Sequence, residues 1–493
     1  MEIQHSRGAS ATQSTTLHSL SNELIALIFE ALLQWDLPSE EDHFGDWDNL
    51  PPSYINLPSV RLVCKVFDRL ATPLRYRTYT LIESTEFPAI RPQPRNVREQ
   101  VALNIKRYTE HVIVRGNVDW HRIVHNYQSF PRLKTISLKF FSWWKERVIG
   151  RLRNYCHVPE SMLRSGVSVS ISAIGDYWDL TRYVPPEYIV SLSLKMMHPT
   201  FPENVHGARD ANKYILLAKN LKSLSYDLTQ MRWWTPYFLT FLPEERMPAL
   251  ESLALISYHW KHTKNDIQSI WDFSKLQNLD IRGMNHHEFF STVNAKWFSN
   301  LETLRLGSFD SREPSHMQRP VEQTLLHTFL RNVPQLKKLY MTSYTRDFPL
   351  DVLMAMENLE VLEFTEQVEI LRGTLSYPRL AMTDLKELLQ YLPHLRQLHI
   401  DLETWTGYFK QVLLDVFAPY PALRRVDINS HGNNTDPSDD FTHLLPEEPH
   451  QSATIVTLHH WRYHEKYFPW DYEGCRGDWE SDRSTTWVVP KSS

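Results

Sequence analysis

The chain has 493 residues, 42% apolar and 23% charged, which is too long for one simple core and too apolar for wholesale disorder. With 53 basic and 58 acidic side chains the formal net charge is -5, so no basic footprint points to nucleic acid as the main partner. Cys64, Cys156 and Cys475 lie far apart and form no C-x-x-C pair, which argues against a disulfide framework and against a zinc module.

Residues 1–16 are polar, with Ser, Thr and Gln and no apolar run, and read as a disordered tail rather than a signal peptide. Charges or prolines break every apolar stretch before the roughly 18 residues that a spanning helix needs. The expectation is a soluble protein of the cytoplasm, the nucleus or both, with no membrane partner.

From Leu20 the chain reads LSNELIALIFEALL, in which Leu20, Leu24, Ile28 and Leu32 recur every four residues and Ile25 and Phe29 widen the stripe. This predicts an amphipathic helix. Ser21 or Asn22 can accept from its first free amides, and Glu23 places a carboxylate near the positive end of its dipole. A second helix is predicted where Val60, Val63, Phe67 and Leu70 share a face with Leu62 and Val66 beside it. Thr72–Pro73 is read as the start of a short third helix through Tyr76. Three short helices cannot bury all these apolar side chains, so some should stay exposed for a partner.

These residues resemble the F-box family, especially its fungal members, in which an LPxEL helix is followed by an LRLVCKxF helix and an ATPLxYRT segment. Ser21 stands where the family usually has proline. An acidic, proline-bearing insert, residues 34–57, separates the helices and reads as a surface excursion. The resemblance implies a module spanning residues 17–82 that binds the adaptor subunit of an SCF ubiquitin ligase, and through it a cullin. By position it implies Leu20, Glu23, Leu24, Ile25, Ile28, Leu62, Val63, Cys64 and Phe67 as adaptor-binding or framework residues. The rival reading is that these helices only cap the array that follows.

Leucine, or a residue like it, at positions one, four and six then returns along the chain. Copies start at Leu133, Ile189, Leu221, Leu250, Leu276, Leu301, Leu336, Leu359, Leu395 and Leu423. From Leu221 onward successive starts lie 23 to 36 residues apart, around the length of a leucine-rich repeat. Pro131, Pro248, Pro334, Pro393 and Pro421 each stand two places before a copy and mark the crossing from helix to strand, because proline cannot continue the helix. Helical periodicity precedes several strands, as in VEQTLLHTFLRN, TDLKELLQYL and YFKQVLLDVF. The predicted fold class is therefore α/β: a three-helix F-box-like module, then an irregular leucine-rich-repeat solenoid over residues 83–460, with a parallel inner sheet and helices outside.

Because side chains alternate along a strand, the residues between the leucines should face out on the concave side. That places Arg282, Arg305, Tyr340, Glu363, His399, Arg425 and Asp427 as the target-binding candidates. Where the usual repeat has asparagine, eight places after its first leucine, this chain has Tyr258, Met284, Phe309, Tyr344 and Glu403. The array is thus a divergent one.

Little points to chemistry. His286–His287 and His459–His460 are adjacent pairs, and neighbours on a helix or strand do not converge on one metal. HExxH, a phosphate loop and GxSxG are all missing, so no catalytic residue, cofactor, metal or small-molecule substrate is predicted. Trp143–Trp144 and Trp233–Trp234 read either as core cover or as interface anchors. Residues 461–493 are rich in tryptophan without a repeat pattern and read as a terminal cap or a tail. The function expected is substrate recognition for an SCF-type ligase, with the repeats holding an unidentified target protein. The alternative is a ligase-independent leucine-rich-repeat scaffold.

Overall fold

The computed structural model describes residues 21, 23–25, 27–28, 65–82, 95–115, 130–141, 158–163, 166–175, 184–196, 212–229, 239, 241–242, 244–283, 286–307, 319–342, 350–365, 382–402, 416–417, 419–420, 422–431, 454–465 and 477–489. The chain divides into two compact units, 1–171 and 172–493.

In the first unit Glu23, Leu24, Ile25, Leu27 and Ile28 are helical. Ser21 caps this turn, its Oγ accepting from the Leu24 amide at 3.3 Å. Helix α1, Lys65–Arg75, is continuous through Thr72 and Pro73, so the break expected there is not found. The proline falls in the last turn, where losing one backbone rung disrupts little, and Thr72 Oγ1 donates to Asp68 Oδ1 at 3.2 Å inside the same helix. A module of three helices is accordingly not seen among the described residues. Strand β1 (Thr78–Ile82), helix α2 (Arg95–Tyr108) and strands β2 (His111–Arg115) and β3 (Thr135–Phe141) follow, with β1, β2 and β3 paired in parallel. Strand β4, Ser168–Gly175, contains the point of division.

The second unit repeats strand, connection and strand. Its strands are β5 (Ile189–Met196), β6 (Ser223–Asp227), β7 (Ser252–Ile256), β8 (Asn278–Arg282), β9 (Thr303–Gly307), β10 (Lys338–Thr342), β11 (Val361–Thr365), β12 (Gln397–Leu402), β13 (Arg425–His431), β14 (Thr454–Glu465) and β15 (Gly477–Val489). They lie side by side in chain order. Each pair from β5 to β14 is parallel, and β15 closes the series antiparallel to β14. Between strands run α3 (Lys264–Ile270), α4 (His286–Thr292), α5 (Arg319–Arg331), α6 (Leu350–Met354) and α7 (Met382–Tyr391). This is an α/β repeat architecture, and all ten leucine copies read from the sequence lead into strands.

The reason is visible in the register. Leu253, Leu279, Leu304, Leu339, Leu362 and Leu398 stand opposite one another on successive strands and are all buried. Burying one leucine side chain stabilises by about 1.5–3 kcal/mol, and none of these could be buried by its own coil alone. In most coils the first leucine closes a tight turn: the amides of Leu221, Leu276, Leu301, Leu336, Leu359 and Leu395 each donate to the carbonyl three residues back. At the following position one carbonyl takes two amides of the next coil. Lys222 O accepts from Glu251 and Ser252 at 2.7 and 2.9 Å, and Glu302 O from Lys337 and Lys338 at 2.8 and 2.9 Å. Side chains at this rim form Lys222–Glu251 and Lys337–Glu302 pairs, each at 2.8 Å.

Strands β1, β2 and β4 follow the same backbone pattern without the leucine signature. Arg77 O accepts from Glu110 and His111, and Lys134 O from Ser168. Thr109 and Gly166 occupy the places where other coils have their first leucine, which is why these coils escape a leucine count. Their remaining signal is the alternation of Val112 with Val114 and of Val169 with Ile171, all buried.

Candidate binding face of the sheet

On strands β5 to β13 one face carries buried apolar residues, so the other face carries the residues between them. Asp280, Arg305, Tyr340, Glu363, His399 and Asp427 fall on a single row across β8 to β13, each directly opposite the next. Arg282 and Arg425 flank its ends from neighbouring positions on β8 and β13. All seven target-binding candidates named from the sequence therefore share this face.

The row is built from side chains that hold one another. The Arg282 guanidinium forks onto Asp280, with Nε to Oδ1 and Nη2 to Oδ2 both at 2.8 Å. Arg425 repeats the device on Asp427, at 2.7 and 3.2 Å. Arg305 lies over the Tyr340 ring, its Cζ 4.7 Å from the centroid. His399 Nδ1 stands 3.7 Å from Glu363 Oε2. Asp280, which the same alternation along the strand places on this face, and Gly307, which the candidates omitted, also belong to the site. A glycine opposite an arginine in the register is the signal that could have found Gly307, because a Cβ there would stand 3.1 Å from Arg282 Cγ.

Beside the row, the outward positions of β6 and β7 hold the small residues Ser223, Ser225, Ser252 and Ala254, followed at the C-terminal end of the strands by Asp227 and Ile256. Lys195 Nζ pairs with Asp227 Oδ2 at 3.6 Å along their edge.

No family model matches the chain, and the search of curated proteins returns no match. The site is therefore read from its own chemistry.

The adaptor-binding candidates divide by burial. Leu24 and Ile28 are 49% and 38% exposed, as is Leu27 beside them at 58%, whereas Ile25 and Phe67 are core. Leu27 was not among the candidates, although it lies one turn from Glu23. Leu20, Leu62, Val63 and Cys64 lie outside the described residues. Glu23 is exposed, and its own backbone amide, with help from Ser21, holds its carboxyl below the usual range.

Of the two histidine pairs, His286 is buried with Nε2 3.3 Å from the Ile281 carbonyl, while the side chains of His287, His459 and His460 lie outside the described residues. Trp143, Trp144, Trp233 and Trp234 lie outside them as well. Among the described residues no three His, Cys, Asp or Glu side chains are placed to hold a metal ion, and no helix is long and apolar enough to cross a membrane.

Proposed function

We propose that the chain is a protein-binding adaptor: the substrate-recognition subunit of an SCF-type, cullin-based ubiquitin ligase, acting in the cytoplasm or nucleus. In this reading it belongs with the F-box proteins that carry leucine-rich repeats. The N-terminal helix docks on the adaptor subunit, and the charged row of the second unit holds the target. The chain makes no bond itself. It speeds transfer by holding target lysines near a charged conjugating enzyme, an effect of proximity and orientation.

The observation that carries the reading is the distribution of exposed apolar side chains. Six of the nine large apolar residues that stand exposed among those described belong to the first unit: Leu24, Leu27, Ile28, Val66, Val97 and Leu103. Three of them crowd onto the capped helical turn after Ser21. Such a cluster on a small element marks an interface rather than a core. The repeat register of the second unit supports the other half, since stacked coils leave a long face of outward side chains on which a partner can lie.

The test is co-purification of the full chain with the adaptor subunit. Replacing Leu24, Leu27 and Ile28 by serine should abolish capture while leaving the melting temperature unchanged, because all three are exposed. An intact chain that captures no adaptor removes the proposal.

The acidic insert at 34–57 favours a second reading, a ligase-independent scaffold, because it separates the two helical segments by more than the motif needs. Deleting 34–57 separates the two readings. A receptor gains or loses adaptor capture, whereas a scaffold shows no change and keeps its partner.

A further inference from the structure

The rim of the first unit carries positive charge that its own ion pairs do not absorb. One place before β1, β2 and β3, Arg77 and Lys134 both pair with Glu110, at 3.3 and 2.9 Å. Three places before the same strands stand Arg75, Tyr108 and Arg132, in equivalent positions because Thr78, His111 and Thr135 are opposite one another. The Arg75 guanidinium lies over the Tyr76 ring, 5.5 Å from its centroid, and those of Arg107 and Arg132 lie over Tyr108 at 5.3 and 6.0 Å. These contacts use the faces of the rings and leave the N–H groups of the guanidiniums unengaged. Among the described residues no acid stands within ion-pair reach of Arg75, Arg107 or Arg132, and the latter two are exposed.

Neither the repeat nor the helix dipole calls for these residues. In the second unit the same place, three before the strand, holds Asn220, Asn300, Gln335 and Asn358 ahead of β6, β9, β10 and β11, and each sends its amide back to a carbonyl of the preceding coil. Arginine and tyrosine take that place in the first unit and make no such tie. Arg75 and Arg107 do end α1 and α2, where a cation meets the negative end of the dipole. Of helices α3 to α7, however, only α5 has a basic residue in its last turn, and Arg132 ends no described helix. On three neighbouring coils Arg75, Arg77, Arg107, Arg132 and Lys134 thus face Glu110 as the one rim acid, in a chain whose formal net charge is -5. An anion laid over the strip relieves the repulsion among them.

We propose that this strip docks a short acidic segment of a partner protein, whose carboxylates meet the N–H edges of Arg75, Arg107 and Arg132 in the bidentate manner while Tyr76 and Tyr108 hold the guanidiniums in place. Charge complementarity names the occupant, and the size of the strip narrows it. From β1 to β3 the strip spans about 9.6 Å, which is about three residues of extended chain. A nucleic acid backbone would run past it onto a chain that is acidic as a whole. The strip shares no residue with the exposed turn at Leu24 or with the row across β8 to β13, so the proposal goes beyond the ligase reading and does not depend on it.

The experiment follows the fluorescence anisotropy of labelled oligoglutamate titrated with the full-length chain at about 0.15 M salt, where charges more than about 8 Å apart are largely screened. Oligoglutamate should bind and oligoglutamine should not. The triple variant Arg75→Gln, Arg107→Gln, Arg132→Gln should weaken binding by about tenfold, which corresponds to about 1.4 kcal/mol. Removing the same charge from paired cations of the second unit, with Arg331→Gln, Lys337→Gln and Arg396→Gln, should leave the affinity within about twofold, because those sites are screened from the strip. Arg132→Glu, a single change at an exposed side chain, should weaken binding severalfold and decides the matter if melting curves show that the first triple variant does not fold. No binding of oligoglutamate, or equal losses in the two triple variants, overturns the proposal. So does an oligonucleotide of equal charge that displaces the peptide, and so does binding that appears only once residues 34–57 are deleted, which would make the chain's own acidic insert the occupant.

Discussion

Gly307 lies directly under the stem of Arg282: a Cβ at position 307 would stand 3.1 Å from Arg282 Cγ and 3.6 Å from its Cδ. The two residues are opposite each other on β9 and β8, and the guanidinium beyond that stem is the one forked onto Asp280. Gly307→Ala asks the stem to yield by a few tenths of an ångström and should unfold in urea close to the parent. Gly307→Val adds branches that the stem cannot clear without opening the fork, at a cost of about 1–3 kcal/mol. A valine variant with an unchanged urea midpoint would show that the stem is not confined.

Two buried histidines make stability depend on pH. Burial holds both His262 and His286 down to about 4. His262 is further fixed by Tyr258, whose hydroxyl accepts the Leu239 amide at 2.8 Å and meets His262 Nε2 at 2.9 Å, which suits a neutral ring. Since the unfolded rings protonate near 6.5 and the folded ones near 4, the unfolded state binds more protons in between. Their contribution is complete above pH 6.5 and is lost as pH falls toward 4, on the order of 3 kcal/mol for each ring. The urea midpoint should fall steadily over that window, and less so in His262→Phe. A histidine ring of the folded protein shown by nuclear magnetic resonance to be one of these two, yet titrating near 6.5, would contradict the assignment.

The leucine spacing and the prolines made the strands and their outward residues legible, because both follow from alternation and from a ring that cannot continue a helix. Arg282, Arg305, Tyr340, Glu363, His399, Arg425 and Asp427 could be placed on one face for that reason alone. Their interlocking could not be read: Arg282 and Asp280, like Arg425 and Asp427, stand two apart on one strand, and spacing puts them on one face without saying that the long side chain folds back along its own strand instead of reaching to the next coil. Thr72–Pro73 misled because the pair is a helix-start signal, whereas α1 runs on through Pro73 and forgoes the one bond that the missing amide would have made to the preceding turn. The coils headed by Thr109 and Gly166 were missed because their first positions hold a threonine, whose hydroxyl bonds to the preceding coil, and a glycine at φ +88°, neither of which a leucine count registers.

Three coils without proline two places before the first leucine are tied to the preceding coil by an asparagine. The asparagine just before Leu221 and before Leu359 sends its amide back to the preceding coil, Asn220 Nδ2 to Glu187 O at 2.6 Å and Asn358 Nδ2 to Pro334 O at 3.0 Å, and Asn300 does the same to Ser274 O. Each is an exposed neutral bond, so Asn220→Ala or Asn358→Ala should cost about 1 kcal/mol in a denaturant titration, and Asn358→Asp, which loses the donor, at least as much. An alanine at either position that leaves stability untouched would mean that water replaces the bond without loss.

Thr109 tests how far the consensus of the repeat governs this chain. It is fully buried at the place where other coils carry their first leucine, and its hydroxyl donates to the Tyr76 carbonyl at 3.0 Å. Restoring the consensus with Thr109→Leu would be stabilising if leucine packing were all that mattered. The site has instead been closed around a smaller side chain whose polar atom meets the previous coil, so the larger residue overpacks it and leaves that bond unmade. Thr109→Leu should therefore destabilise by about 1–3 kcal/mol. Thr109→Val, nearly equal in volume, should lose only the hydrogen bond, about 1 kcal/mol. Urea unfolding of the pair decides the matter: a leucine variant more stable than the parent would mean that this coil is an ordinary repeat with a tolerated lapse, and that its hydroxyl bond contributes nothing to holding β1 and β2 together.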